Sequence, residues 1–194
     1  MHSLDVRPSS TVAVVRTSTG GSDDGGVLEL LVLGDSVVVL GFDDGQQRLY
    51  TDDRLSDLRL PGADAYRDRM RQGYGFDRTH RKILADLQRD EREHRNVPGG
   101  YWIASEDPAA ADEAVVVAED LARVRWVVLA TDGVSDVLDA ANESWESFAA
   151  LDACRLEAAL ARLHRWESES DPTGVVLPRS KQHDDKTVAV LRFK

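Results

Sequence analysis

Three short acidic turns hold the residue types that bind hard cations: Gly34-Asp35-Ser36, Thr131-Asp132-Gly133 and Asp184-Asp185-Lys186-Thr187. Ions such as Mg2+ and Mn2+ take oxygen ligands and keep several waters, so aspartates delivered by different strands suit them. The three carboxylates bring no thiolate or imidazole with them, which argues against zinc at that place. Each turn borders an apolar run: Val27 to Leu33 ends just before the first, Trp126 to Ala130 just before the second, and Val188 follows the third. If a sheet gathers these ends, the carboxylates share one metal site. A pair of divalent ions there lowers the pKa of bound water and clamps the oxygens of an in-line phosphoryl displacement. His183, beside Asp184, is a candidate for proton transfer to a leaving alkoxide.

The elements that must position these turns are mostly strands. Thr11 to Arg16, Val27 to Leu33, Val37 to Phe42 and Gln47 to Tyr50 are β-branched or aliphatic and are expected to form an antiparallel meander. Glycine and aspartate between residues 20 and 26, and at Asp43-Asp44-Gly45, mark its loops. Tyr101 to Ala104, Ala114 to Val117, Trp126 to Ala130 and Thr187 to Phe193 read as further strands, the third of them apolar enough to be central. A short helix is expected at Val134 to Leu138. A long one is expected from Trp145 to Trp166, where Phe148, Leu156, Leu160 and Leu163 repeat at helical spacing behind a cap at Asn142 or Ser144. Residues from about 53 to 97 are densely charged and form a helical insertion, with Ile83, Leu84 and Leu87 as the apolar stripe of a helix at Asp77 to Glu93. This insertion either covers a sheet edge or faces a substrate as a flap. Trp102 and Trp126 are expected in the core, and Cys154 is expected there as a small apolar residue of its helix. His80, His94 and His164 fall in charged helices without zinc-ligand spacing.

Composition narrows the partners. A chain of 194 residues that is 42% hydrophobic fits one domain, residues 1–194. A net charge of −11 excludes nucleic acid as a partner, since a binder must present clustered Lys and Arg to phosphates, and favours a basic substrate or a divalent cation. With Cys154 as its one cysteine the chain cannot close an internal disulfide. No basic stretch followed by an apolar one opens the chain, and no run approaches the roughly 20 apolar residues that span a bilayer, so a cytoplasmic protein without a membrane partner is expected. Basic charge is carried by Arg far more than Lys, as in GC-rich bacterial genomes.

The order and flanks of the three turns resemble the later motifs of bacterial, actinobacterial-like members of the metal-dependent type-2C (PPM) serine/threonine protein phosphatases. Gly34-Asp35-Ser36 looks like that family's Gly-Asp-Ser-Arg, Thr131-Asp132-Gly133 like its Ser-Asp-Gly, and Asp184-Asp185-Lys186-Thr187-Val188 like its Asp-Asn-x-Thr-Val. The resemblance implies an α+β fold, a partial version of the αββα sandwich of antiparallel sheets flanked by helices. It also implies Mn2+ or Mg2+ as cofactor, with Asp132 and Asp184 as metal ligands, Asp35 as an auxiliary one, and Gly133, Asp185 and His183 in support. The implied activity is hydrolysis of phosphoserine and phosphothreonine by metal-activated water. Val37 and Asp185 depart from the family's arginine and asparagine. The family's first Asp-Gly motif, with its metal-bridging aspartate, precedes the strand that Thr11 to Arg16 resembles and has no counterpart here; Asp5 lacks the glycines and the spacing. The corresponding expectations are a single weak metal site, impaired turnover and an open sheet edge that a partner completes. The alternative is a phosphatase-like module that binds a phosphoprotein or a regulator without turnover.

Overall fold

The computed structural model describes residues 8–18 and 26–193, so Asp5 and most of the glycine-rich 20–26 loop lie outside the described residues. The fold is α+β with two antiparallel sheets. Strands β1 (Val12–Ser18), β2 (Val27–Leu33) and β5 (Val115–Asp120) form one sheet in the order β1-β2-β5. Strands β3 (Val37–Phe42), β4 (Gln47–Tyr50), β6 (Val124–Ala130) and β7 (Val188–Arg192) form the other, in the order β4-β3-β6-β7.

Side-chain alternation along the strands builds two cores. Val38, Leu40, Val124 and Val127 face Leu28, Leu30 and Val32 between the sheets. Val37, Val39, Val128 and Ala130 point the opposite way, against helices α4 (Asp132–Leu138), α5 (Trp145–Ala150) and α6 (Ala153–Arg165). β3 is therefore buried on both faces. The outer face of the three-stranded sheet carries exposed Val14 and Val116. The observed order is helix, sheet, sheet, and the fourth layer of the expected αββα arrangement has no counterpart among the described residues.

Several sequence expectations change. The first four strands are not one meander, because the chain leaves one sheet at Leu33 and enters the other at Val37. Gly34 makes that corner, with φ of 80° and Thr11 Cγ2 2.8 Å from where a Cβ would stand, so only glycine fits. Tyr101 to Ala104 makes isolated bridges from Tyr101 to Arg95 and from Ala104 to Ser10 instead of a strand. The Asn96 amide takes the partner's place there, accepting from Ile103 N at 2.9 Å and donating to Ile103 O at 3.1 Å. The expected long helix breaks between α5 and α6, where Asp152 turns its side chain onto Arg155 N and caps the second helix. Ser144, not Asn142, caps the first. Cys154 is exposed, since α6 buries Ala159 and Leu163 on its other side. Trp102 and Trp126 are half-buried.

The 53–97 segment holds three helices, α1 (Arg54–Asp57), α2 (Pro61–Arg71) and α3 (Arg78–Glu93). Tyr66, Met70, Leu84 and Leu87 give it a small core of its own. It is fastened to the loop before β7: buried His80 lies 3.0 Å from Ser180 O through Nε2, and Arg179 stacks over the Phe76 ring.

Candidate metal centre

Strand register brings the acidic turns together. Val37 of β3 pairs with Ala130 of β6, and Ala130 pairs with Val188 of β7. Asp35 stands two residues before Val37, Asp132 two residues after Ala130, and Asp184 four residues before Val188, so all three leave the same edge of the sheet. The turns are laced together at short range. Thr131 donates its N–H to Thr187 O at 3.1 Å, and its hydroxyl accepts from Thr187 N at 3.1 Å and donates to Asp185 O at 3.3 Å. A Cβ on Gly133 would lie 2.3 Å from Asp185 O and 3.2 Å from the Asp184 Cβ. The residue after Asp132 must therefore be glycine for the Asp184 turn to come this close. Asp185 contributes this backbone carbonyl while its side chain is exposed.

The first turn is tied down as well. Ser36 Oγ and Thr11 Oγ1 share a hydrogen bond of 2.7 Å, and Thr51 donates to Ser36 O at 3.1 Å. Buried Asp52 accepts from Gly34 N at 3.3 Å. Burial would raise the Asp52 pKa, but hydrogen bonds from Arg54 outweigh it and hold the carboxyl below its ordinary value. Asp52 is thus a paired structural anion.

The acidic edge opens into a cavity of about 530 Å³. Asp35, Asp132 and Asp136 line it on the sheet and α4 side, and Tyr66, Arg67, Leu84 and Glu91 line it on the side of the insertion. Asp136 is one helical turn beyond Asp132. The cavity walls, then the charges of Asp132, Asp35 and Asp184, push its pKa up to about 6. Asp35 is raised by the same desolvation and by Asp132 and Asp184. Glu91 is raised by burial, with Asp35 contributing. Asp35 and Asp136 both keep a face open to the cavity's water, and the mutual repulsion is the component that a cation would relieve. Lys181 offsets part of it, with Nζ 2.7 Å from Asp184 Oδ1.

The structure thus places the Asp35, Asp132 and Asp184 turns at one end of the sheet, where the three carboxylates influence one another electrostatically, although Asp184 does not line the cavity and the three do not converge to ligand spacing. Asp136, which sequence reading missed, shares that field. The available signal was its i+4 spacing from Asp132 on one helix face. His183 is placed differently from expectation. Its Nδ1 lies 3.2 Å from Glu167 Oε2, its ring stacks on His164, and it is not among the residues lining the cavity. His164 likewise belongs to a group of ligand-type side chains, although its helix shows no zinc-ligand spacing in sequence.

The acidic donor set at the cavity is oxygen only, and three of its carboxyls, Asp35, Glu91 and Asp136, have their proton affinity raised, first by burial and then by neighbouring carboxylates. That chemistry fits a hard divalent ion. Among the described residues no helix is long and apolar enough to cross a membrane. Compared with known families and curated proteins, the chain matches no family model and no curated sequence.

Proposed function

We propose that this chain is a type-2C phosphatase-like domain that acts on phosphoserine and phosphothreonine in proteins with Mg2+ or Mn2+. One observation carries the reading. The three turns that resemble the family's later motifs meet at a single sheet edge through the Val37–Ala130–Val188 register. Asp132 and Asp184 would hold the ion with Asp35, and Asp136 is within their field. An ion so bound supplies Lewis acidity and makes a bound water a better nucleophile at neutral pH.

The chain's own residues then divide the remaining work. Among the described residues Arg67 is the one guanidinium lining the cavity and is the group available to receive a phosphoryl oxygen. Tyr66, Leu84 and the rest of the insertion wall give a phosphopeptide an apolar surface beside the acidic edge. Val37 stands where the family pattern has an arginine, so this edge carries one cation fewer than that pattern. A strand contributed by another chain along the side of β1 that no described strand pairs, and a cytoplasmic setting, belong to the same proposal. The second reading, a module that binds a phosphoprotein without turnover, draws on the same insertion wall.

The test is Mn2+-dependent hydrolysis of p-nitrophenyl phosphate and of a phosphothreonine peptide by the wild type and Asp132→Asn. Turnover that needs Mn2+ and falls at least about a hundredfold in the variant supports the enzyme. Mn2+ binding that the variant loses, with no turnover in either protein, sinks the catalytic reading and leaves the binding module.

A further inference from the structure

The end of α6 carries a second group of ligand-type side chains. His164 sits in the last turn of α6, and Glu167 sits in the π-helical turn that follows, Trp166–Ser170. His183 comes from the loop before β7. One ligand atom from each lies within 4.8 Å of the others. Glu167 Oε2 is 3.2 Å from His183 Nδ1 and 3.9 Å from His164 Nδ1. Ligands of a tetrahedral ion with bonds of about 2.0 to 2.1 Å stand roughly 3.4 Å apart, so the two observed separations bracket that spacing.

The surroundings are those of a built site. The Glu167 side chain is 1% exposed, and its second oxygen is fixed by Lys186 Nζ at 2.8 Å. Arg179 Nη2 donates to the Glu167 backbone carbonyl at 3.1 Å. Such outer contacts orient a ligating carboxylate before the ion arrives. The imidazoles, by contrast, are 55% and 31% exposed, which leaves an approach from solvent. The wider π turn carries Glu167 into this position, and such turns recur at functional places in helices.

We propose that His164, Glu167 and His183 form a binding site for a borderline transition-metal ion of the zinc class, with two nitrogen ligands, one oxygen ligand and the remaining position open to water. The donor set is distinct from the carboxylates of the cavity, and the proposal stands whether or not the domain is a phosphatase. Its role follows from the connections. Lys186 also donates to the Asp184 carbonyl at 3.1 Å, so an ion at this site pins the Asp184 turn to the end of α6. The Lys186 charge opposes the incoming cation and keeps the affinity below that of a site without it.

The experiment is calorimetric titration of the chelator-stripped full chain with Zn2+ in excess Mg2+. It compares the wild type, His164→Ala and an Asp35→Asn/Asp132→Asn double variant, with circular dichroism reporting the fold. The expected result is one zinc per chain in the wild type and the double variant. In His164→Ala, binding weakens by more than the roughly tenfold to hundredfold that loss of an outer contact produces. A zinc-dependent rise in the unfolding midpoint should appear in the wild type and vanish in His164→Ala. The proposal is overturned by absence of zinc uptake in the wild type, by equal uptake in His164→Ala, or by loss of uptake in the carboxylate double variant.

Discussion

Two charged regions, one within residues 167–186 and one at the sheet edge, are built under opposite rules. In the knot behind the last strand, each buried carboxylate has a cation of its own: Lys186 Nζ is 2.8 Å from Glu167 and Arg179 Nη1 is 2.7 Å from Asp171, all four side chains being less than a tenth exposed. Asp171 also accepts from Val176 N and Leu177 N, and Arg179 donates to three further backbone carbonyls besides that of Glu167. At the sheet edge, Asp35, Asp132, Asp136 and Asp184 gather and, among the described residues, Lys181 is the one cation in direct contact, at Asp184. Paired charge out of water holds a loop that has almost no secondary structure. Crowded like charge facing water stores repulsion that a ligand can relieve.

The hardest test of that contrast removes one partner from the knot. Arg179→Met leaves Asp171 buried without its cation and frees several carbonyls at once. The expected loss is about 3 to 5 kcal/mol in denaturant-induced unfolding, the range for stranding one member of a buried pair. A loss under about 1 kcal/mol, the range of surface pairs, would mean that the knot does not hold the loop.

This contrast also explains what could be read from the sequence. The strands β2, β3 and β4 were legible because β-branched runs are bounded by turn residues, and the order of acidic turns was legible as motifs. The jump between sheets at Gly34 was not, since a corner and a hairpin use the same glycine and aspartate. The knot was invisible for another reason. Glu167, Asp171, Arg179 and Lys186 look like ordinary surface charges, and only the tertiary fold buries them against each other. Asp136 left a trace in its i+4 spacing from Asp132, whereas the meeting of His164, Glu167 and His183 spans a helix end and a loop and left none. Asn96 shows a third kind of limit, because its side-chain amide replaces the strand partner that Tyr101 to Ala104 would otherwise need.

A smaller effect is expected where the two regions meet. Gly133→Ala places a methyl group 2.3 Å from Asp185 O, and neither backbone can yield without moving the Asp184 turn. A cost of about 1 to 3 kcal/mol is expected, as for overpacking elsewhere. Mn2+ affinity should fall with it, because the turn that shifts carries a proposed ligand. An alanine variant with unaltered stability and Mn2+ binding would show that the close approach of the two turns is not needed.

The smallest expected effect is the dependence of stability on pH, and its sign separates the two regions. Asp136 titrates near 6 in the folded chain and near its ordinary 3.8 when unfolded. Between those values the native state binds more protons than the unfolded state, so stability falls as pH rises. The contribution is fully present below about pH 4 and gone above about pH 6, the reverse of the usual carboxylate behaviour. Because Asp136 is open to the cavity's water, screening reduces the effect to about 1 kcal/mol or less. Asp136→Asn should remove this component of the slope between pH 4 and 6, and saturating Mg2+ should flatten it in the wild type by supplying the missing positive charge. Paired acids such as Asp52, held below its ordinary value, act in the opposite direction and lose their contribution only as pH falls toward and below 4. Comparing the wild type with Asp136→Asn, with and without Mg2+, cancels those paired acids and isolates the edge. A slope unchanged by both the substitution and the ion would mean that the four carboxylates do not share a field, and the case for a common cation site would fail with it.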